Sequence, residues 1–192
     1  MSPRTTGRAV GALFLLAFFA YGGGTALVGA GSVPAGALLM LVNSAVVVGI
    51  GVLALPVLRP HDELTAHAYL TGRAVEAVLL AVGVVFLLGT SANEGDHYAY
   101  QLAMIFAGAV GVLFCRTLLR AGLVPRALAV WGAVGYAVFL LGAVLEVLGH
   151  RVGVALSVPG GLFEVALGVL LLVKGFPAVP VDDPVVRRTA RA

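Results

Sequence analysis

Apolar residues run through this chain in six long blocks, and the polar residues gather in the gaps between them. The blocks cover residues 9–30, 34–57, 66–90, 98–118, 126–149 and 155–174. A helix crossing a hydrocarbon core needs about 20 apolar residues. Inside lipid a backbone polar group finds no water, so each spanning segment satisfies its own hydrogen bonds by coiling into a helix. The pattern predicts an all-α membrane protein, a six-transmembrane-helix bundle. The separators are short and built of turn formers: Gly31 to Pro34, Arg59 to Asp62, Ser91 to His97, Ala121 to Pro125, and His150 to Gly153. Pro159 stands either in the first turn of the last helix or at a kink in a longer one.

Composition sharpens this reading. Of 192 residues, 60% are hydrophobic and 11% charged, and mean hydropathy is +1.06. Soluble domains carry about 25% charged residues. One bundle accounts for residues 1–176, and residues 177–192 form a short polar tail. The net charge of +3 does not point to nucleic acid, because the basic residues flank the apolar blocks instead of forming a patch interleaved with aromatics. Cys115 is the single cysteine, which rules out an internal disulfide, a paired redox motif and a thiolate metal cluster.

Charge distribution orients the bundle. If both termini are cytoplasmic, ten of the twelve Lys and Arg residues fall on the inner side; Arg151 alone lies outside and Arg73 sits within the third block. That is the bias the positive-inside rule describes. Arg4, Arg8 and the first block loosely imitate a signal peptide, but an apolar stretch of about 22 residues exceeds the usual 7–15 of such a leader. The expectation is a multi-pass protein of the bacterial cytoplasmic membrane.

Ionisable groups inside the apolar blocks carry the chemical interest, since each costs about 2.5–3.5 kcal/mol at a helix centre on insertion scales. Arg73, Glu76 and Glu164 qualify, and Asn43, Ser44, Gln101 and Tyr136 add uncharged polarity. On helical wheels these share faces with glycines, as in Gly160, Gly161, Glu164, Gly168 and Gly175 of the last block, and small residues mark close helix contacts. The polar groups therefore point into the bundle. Counted along the blocks, Arg73 and Glu76 lie about 10 and 15 Å from the inner boundary, and Glu164 about 10–15 Å from the outer one. Arg73 and Glu76, three apart, can pair on one helix. Glu164 can share the same arginine, or stay protonated as a donor.

Three roles are open for this cluster: a structural ion pair fixing helix register, a site for a hydrophobic ligand or substrate, and a proton or ion path. As a catalytic set, Glu164, Glu76 and Arg73 would supply acid or base; Asn43, Ser44, Gln101 and Tyr136 are the candidate ligand-binding groups. A second constellation sits at the outer mouth, where Glu146 and His150 are four apart on one face and the preceding loop brings Glu94, Asp96 and His97. Carboxylates with imidazoles can hold a zinc-like ion. Such interfacial residues are more often simply solvated. No phosphate-binding loop, nucleophile elbow or haem-attachment motif is present, and no cofactor is expected.

Thr6 to Val10 recurs as Thr71 to Val75, and Ser32 to Pro34 as Ser157 to Pro159, matches that a small residue alphabet readily generates. Four stretches carry a resemblance: Gly7 to Leu13, Gly72 to Ala77 with its Arg-x-x-Glu, Leu119 to Arg126, and Glu164 through Leu172 to Gly175. Through them the chain resembles the bacterial membrane family of domain of unknown function 4386. The resemblance implies a six-helix bundle and brings no established activity or site. The functional expectation is a membrane protein with an intramembrane polar site that binds a hydrophobic, lipid-like molecule. An acid/base cyclase or isomerase acting on an apolar isoprenoid-like substrate is one alternative; a small proton-coupled carrier is another. Expected partners are membrane lipids and a hydrophobic small molecule, with oligomeric state left open.

Overall fold

The computed structural model describes residues 1–89, 92–152 and 155–177, with backbone alone for 92–94. The tail beyond Pro177, and the side chain of Glu94, lie outside the described residues. Six helices follow in order: α1 (Pro3–Gly29), α2 (Val33–Leu58), α3 (Glu63–Leu88), α4 (Ala92–Arg120), α5 (Arg126–Val147) and α6 (Val158–Lys174), the last entered through a single 3₁₀ turn at Ala155–Ser157. All six are long and apolar enough to cross a membrane.

The helix ends follow from local chemistry. Ser2 caps α1 by accepting from the Thr5 N–H, and Asp62 caps α3 by accepting from the Thr65 N–H at 2.9 Å and the Thr65 hydroxyl at 2.8 Å. Pro34 and Pro159 occupy first turns, where their missing N–H costs nothing. Pro159 therefore opens α6 and kinks nothing. Gly175 ends α6 at a φ of 70°, in the left-handed region that a glycine enters without steric cost.

Each helix packs on its neighbours in sequence, and α6 returns to pack on α1, closing a ring. Glycines allow these contacts. A Cβ added at Gly36 of α2 would sit 2.6 Å from the Gly24 carbonyl oxygen of α1, and one at Gly108 of α4 would sit 3.0 Å from the Leu140 Cα of α5. With no hydrophobic drive between helices in lipid, close backbone approach through small residues is what gains dispersion energy. The outer surface is apolar, with Phe19, Leu38, Val78 and Val85 largely exposed, as a lipid solvent permits.

The ring differs between its two halves. In the half that holds the start of α1 and the end of α6, Phe14, Ile50, Leu58, Tyr69, Phe114 and Leu171 are fully buried and fill the centre. The half farther from the termini holds a smaller cluster, around Val47, Leu80, Ala103 and Met104. Here the centre is hollow.

Candidate functional site

The hollow is an apolar cavity of about 380 Å³ to which all six helices contribute wall. Tyr21, Val47, Leu80, Met104 and Phe139 supply much of its apolar lining. Its polar wall carries Arg73 and Glu76 from α3, Glu164 from α6, Tyr136 from α5 and Asn43 from α2.

Arg73 is the centre of this group. Its guanidinium donates from Nη1 to Glu76 Oε2 at 2.9 Å, and the same nitrogen lies 3.9 Å from Glu164 Oε1. The Phe14 ring at 5.7 Å and the Tyr69 ring at 5.8 Å flank the cation, and Tyr69 in turn stacks on Phe114. Gly51 lets α2 approach here, since a Cβ on it would stand 3.1 Å from Arg73 Cβ. The Tyr136 hydroxyl donates to Glu164 Oε1 at 2.6 Å, so that one carboxylate oxygen faces both the phenol and the guanidinium. Gly111 accommodates the Tyr136 ring on α4.

Accessibility divides the two carboxylates. The side chains of Arg73 and Glu76 are 3% and 6% exposed, whereas that of Glu164 is 27% exposed, toward the cavity it lines. Glu76 pairs with Arg73; Glu164 is the carboxylate more open to the cavity. Three buried polar atoms have no hydrogen-bond partner among the described residues: Asn43 Oδ1, Tyr69 Oη and Arg73 Nε. Buried polar groups are normally paired; two of these three belong to residues of the cavity wall, Asn43 and Arg73, while Tyr69 packs against Arg73 outside the lining.

The cluster expected from sequence thus comes together, with corrections. Arg73, Glu76, Glu164, Asn43 and Tyr136 share the cavity wall. Ser44 does not: its hydroxyl bonds back to the Met40 carbonyl at 3.3 Å, one turn earlier on its own helix. Gln101 is half-buried outside the lining, and its neighbour Tyr100 takes the place in the wall. Depth counted from opposite membrane faces also misplaces Glu164 relative to Arg73. Both lie ten residues, about 15 Å, from the end of their own helix on the side where α1 begins.

The glycine stripe of α6 resolves into different contacts. Gly160 abuts Gly135 of α5, Gly168 abuts Leu15 and the Gly11 carbonyl of α1, and Gly175 abuts Arg4; Gly161 alone among these has nothing within 4 Å of where its Cβ would be. Gly168 is thus a helix contact and not a ligand surface. The repeated Thr-Gly-Arg-Ala-Val likewise meets two environments: Arg8 is exposed and donates to the Val173 carbonyl, while Arg73 is buried.

At the ends of α4 and α5 remote from the start of α1, the expected metal residues divide. His97 Nε2 lies 3.4 Å from Glu146 Oε2, a contact tying α4 to α5. His150 is exposed, and Asp96 Oδ1 lies against Gly83 of α3. Among the described residues no group of three or more His, Cys, Asp or Glu side chains is placed to hold a metal ion, so the four do not make one centre.

Sequence reading passed over Tyr21, Phe139 and Ser157 as site residues, and all three line the cavity; Tyr98 and Tyr100 read first as an interface belt and second as pocket lining, and of the two Tyr100 lines it. Tyr21 of α1 and Tyr100 of α4 stack on one another in its wall, with ring centroids 5.3 Å apart. A tyrosine within an apolar block is the signal that was there to read, because its hydroxyl wants a partner that lipid does not offer.

No curated protein and no solved structure shows a significant match to the chain. The family model described as "Domain of unknown function (DUF4386)" matches in two stretches, residues 25–96 and 90–175. The opening stretch Gly7 to Leu13 falls before the matched region, while the other three stretches of resemblance fall inside it. Residues 25–175 take in the whole polar wall of the cavity and most of the ring, and on that coverage the chain belongs to the DUF4386 family.

Proposed function

We propose that this protein binds a hydrophobic molecule inside the bilayer, with the molecule's polar end at Arg73, Glu164 and Asn43 and its apolar body in the cavity. The observation that carries this reading is the cavity of about 380 Å³ walled by a buried ion pair and a second, partly open carboxylate. Small-molecule sites span about 300–1,000 Å³ and combine an apolar lining with a few convergent polar groups. A cluster serving only as structural glue gains nothing from an adjoining void, because empty space forfeits dispersion contacts.

The protein sits in a bacterial cytoplasmic membrane with both termini inside, a placement supported by the ten-to-one distribution of basic residues. The cavity then belongs to the outer half of the bilayer. A second reading is favoured by Glu164 itself. A carboxyl group clamped on one oxygen by Tyr136 and open to a chamber is placed to donate or accept a proton on a bound apolar substrate, with Arg73 and Glu76 fixing the local charge.

Purified protein, extracted with organic solvent and assayed by mass spectrometry, tests the binding reading. The wild type should release an amphiphile in near-stoichiometric amount. Ala107→Phe, which fills the cavity from α4, should release several-fold less while melting at a similar temperature. Equal ligand content in a correctly folded Ala107→Phe variant overturns it. If Glu164 is an acid or base, extracts of membranes expressing Glu164→Gln accumulate a different molecule from those expressing wild type.

A further inference from the structure

Helices α1 and α6 run antiparallel, and their glycine contacts lie in the half of the bundle that holds the start of α1 and the end of α6. There, Gly7 meets Gly175 and Phe176, and Gly11 meets Gly168 and Leu172. The last of these glycine contacts is the layer of Leu15 and Gly168, where a Cβ added at Gly168 would stand 3.1 Å from the Leu15 side chain.

Helical geometry says where these two helices should meet next. Glycines 161, 168 and 175 are seven residues apart, and a heptad step returns to the same helix face within about 20°. Gly161 therefore points toward α1 just as Gly168 and Gly175 do. On α1, the eleven-residue step from Gly11 to Gly22 also returns to nearly the same face, so Gly22 points toward α6. Gly161 and Gly22 are each about 10 Å beyond the Leu15 and Gly168 layer, seven residues along their own helices. Yet neither has any heavy atom within 4 Å of its Cβ position. The helices have parted.

What lies in the gap is the cavity. Gly22 and Gly161 both belong to its wall. Phe18 of α1, and Val158 and Leu162 of α6, line the cavity too, and they are 50%, 51% and 54% exposed. Residues that bound the interior and face the outside at once define a mouth. This mouth is framed by apolar side chains and lies beside Phe19, 70% exposed on the lipid-facing surface. Asn43 and Arg73, each carrying a buried polar atom without a partner, belong to the same cavity wall.

Resting on the binding reading above, we infer that the gap between α1 and α6 is a lateral entry from the bilayer, through which a single-chain amphiphile passes polar end first to Arg73 and Glu164. Its chain trails through the mouth into the leaflet farther from the termini. One chain fits because the opening is one inter-helix gap wide. A glycine on each jamb keeps that gap clear, since any larger residue at 22 or 161 projects into it.

The test uses the full-length protein in vesicles of phosphatidylethanolamine and phosphatidylglycerol, doped with a single-chain C16 alcohol carrying a diazirine near its hydroxyl end. After irradiation, peptide mapping locates the adducts. Wild type should be labelled at the deep wall, on Leu80 and Met104. Gly161→Trp and, independently, Gly22→Trp should each reduce that deep labelling at least five-fold. Their melting temperatures should stay close to wild type, because the added side chain meets open space. Val78→Trp, on the lipid-facing side of α3, should change nothing. Deep labelling undiminished in both folded plug variants overturns the lateral entry while leaving the binding site standing. Absence of deep labelling in wild type itself overturns the binding reading for this class of molecule. If one plug variant fails to fold, the other decides.

Discussion

Replacing Arg73 by leucine tests which carboxylate holds the buried cation. The guanidinium is 2.9 Å from Glu76 and 3.9 Å from Glu164. At an effective dielectric constant of 20, these separations correspond to attractions of about 6 and 4 kcal/mol. Desolvating each ion costs several kcal/mol in return, so the intact cluster contributes little net stability. Breaking it is another matter. Arg73→Leu strands Glu76, whose side chain is 6% exposed, and should cost about 3–5 kcal/mol. Arg73→Leu with Glu76→Leu removes the pair as a unit and should cost far less, giving a coupling of about 2–3 kcal/mol between positions 73 and 76. The coupling between 73 and 164 should be smaller, about 1 kcal/mol, because Glu164 is more open and keeps the Tyr136 hydroxyl as a partner. The assay is a double-mutant cycle by reversible unfolding in mixed micelles, with Glu76→Leu and Glu164→Leu each combined with Arg73→Leu. Additivity within about 0.5 kcal/mol in both cycles, or a larger coupling to Glu164 than to Glu76, refutes the assignment.

Three other outcomes follow from the packing and the charges. Gly168→Leu should lose about 1–3 kcal/mol of stability by over-packing against Leu15 and the Gly11 carbonyl, read by the same unfolding assay, while bound amphiphile per folded molecule stays unchanged. In a Cys115→Ala background, a cysteine at Gly31 should react with an impermeant thiol reagent added to intact cells, and cysteines at Ser2 or Asp62 should not; external labelling of position 62 reverses the topology. Hydrogen bonds from Thr65 hold the Asp62 carboxyl below the usual carboxylate range. Its cap therefore supports α3 fully above the ordinary carboxylate pKa, and that support is lost as pH falls through the lowered one, so Asp62→Asn should melt with a shallower acid dependence than wild type.

The six spans and the separators between them were legible because hydrophobic length acts locally: each block has to be a helix whatever its neighbours do. The fold's closure by α1 and α6 was not, since it joins residues about 160 positions apart. Within the site, the charged residues were the easy part. Arg73, Glu76 and Glu164 are too costly in lipid to face outward, so burial brought them together. The uncharged ones depended on a rotation of about 100° per residue. Asn43 and Ser44 are adjacent, yet one reaches the cavity and the other bonds its own helix. Gln101 and Tyr100 exchange roles in the same way. A helical wheel drawn for α6 alone places Gly161 and Gly168 on one face, and only the separation from α1 distinguishes a filled position from an open one.

The closure of the ring also has a consequence for how the chain is made. Among the described residues the other extensive pairings of long helices join sequence neighbours and can form as each hairpin leaves the insertion machinery, whereas α1 finds α6 only after the last span has been synthesised. Until then Gly7 and Gly11 lack the α6 backbone that they meet in the folded protein. The seam that closes last is thus the one whose far half never fully closes. Because Arg4 and Gly175 end up in contact, a circular permutant that joins the two ends through a short linker and opens the turn at Gly31 should thread the same ring, with α1 then following α6 directly and the seam becoming a hairpin.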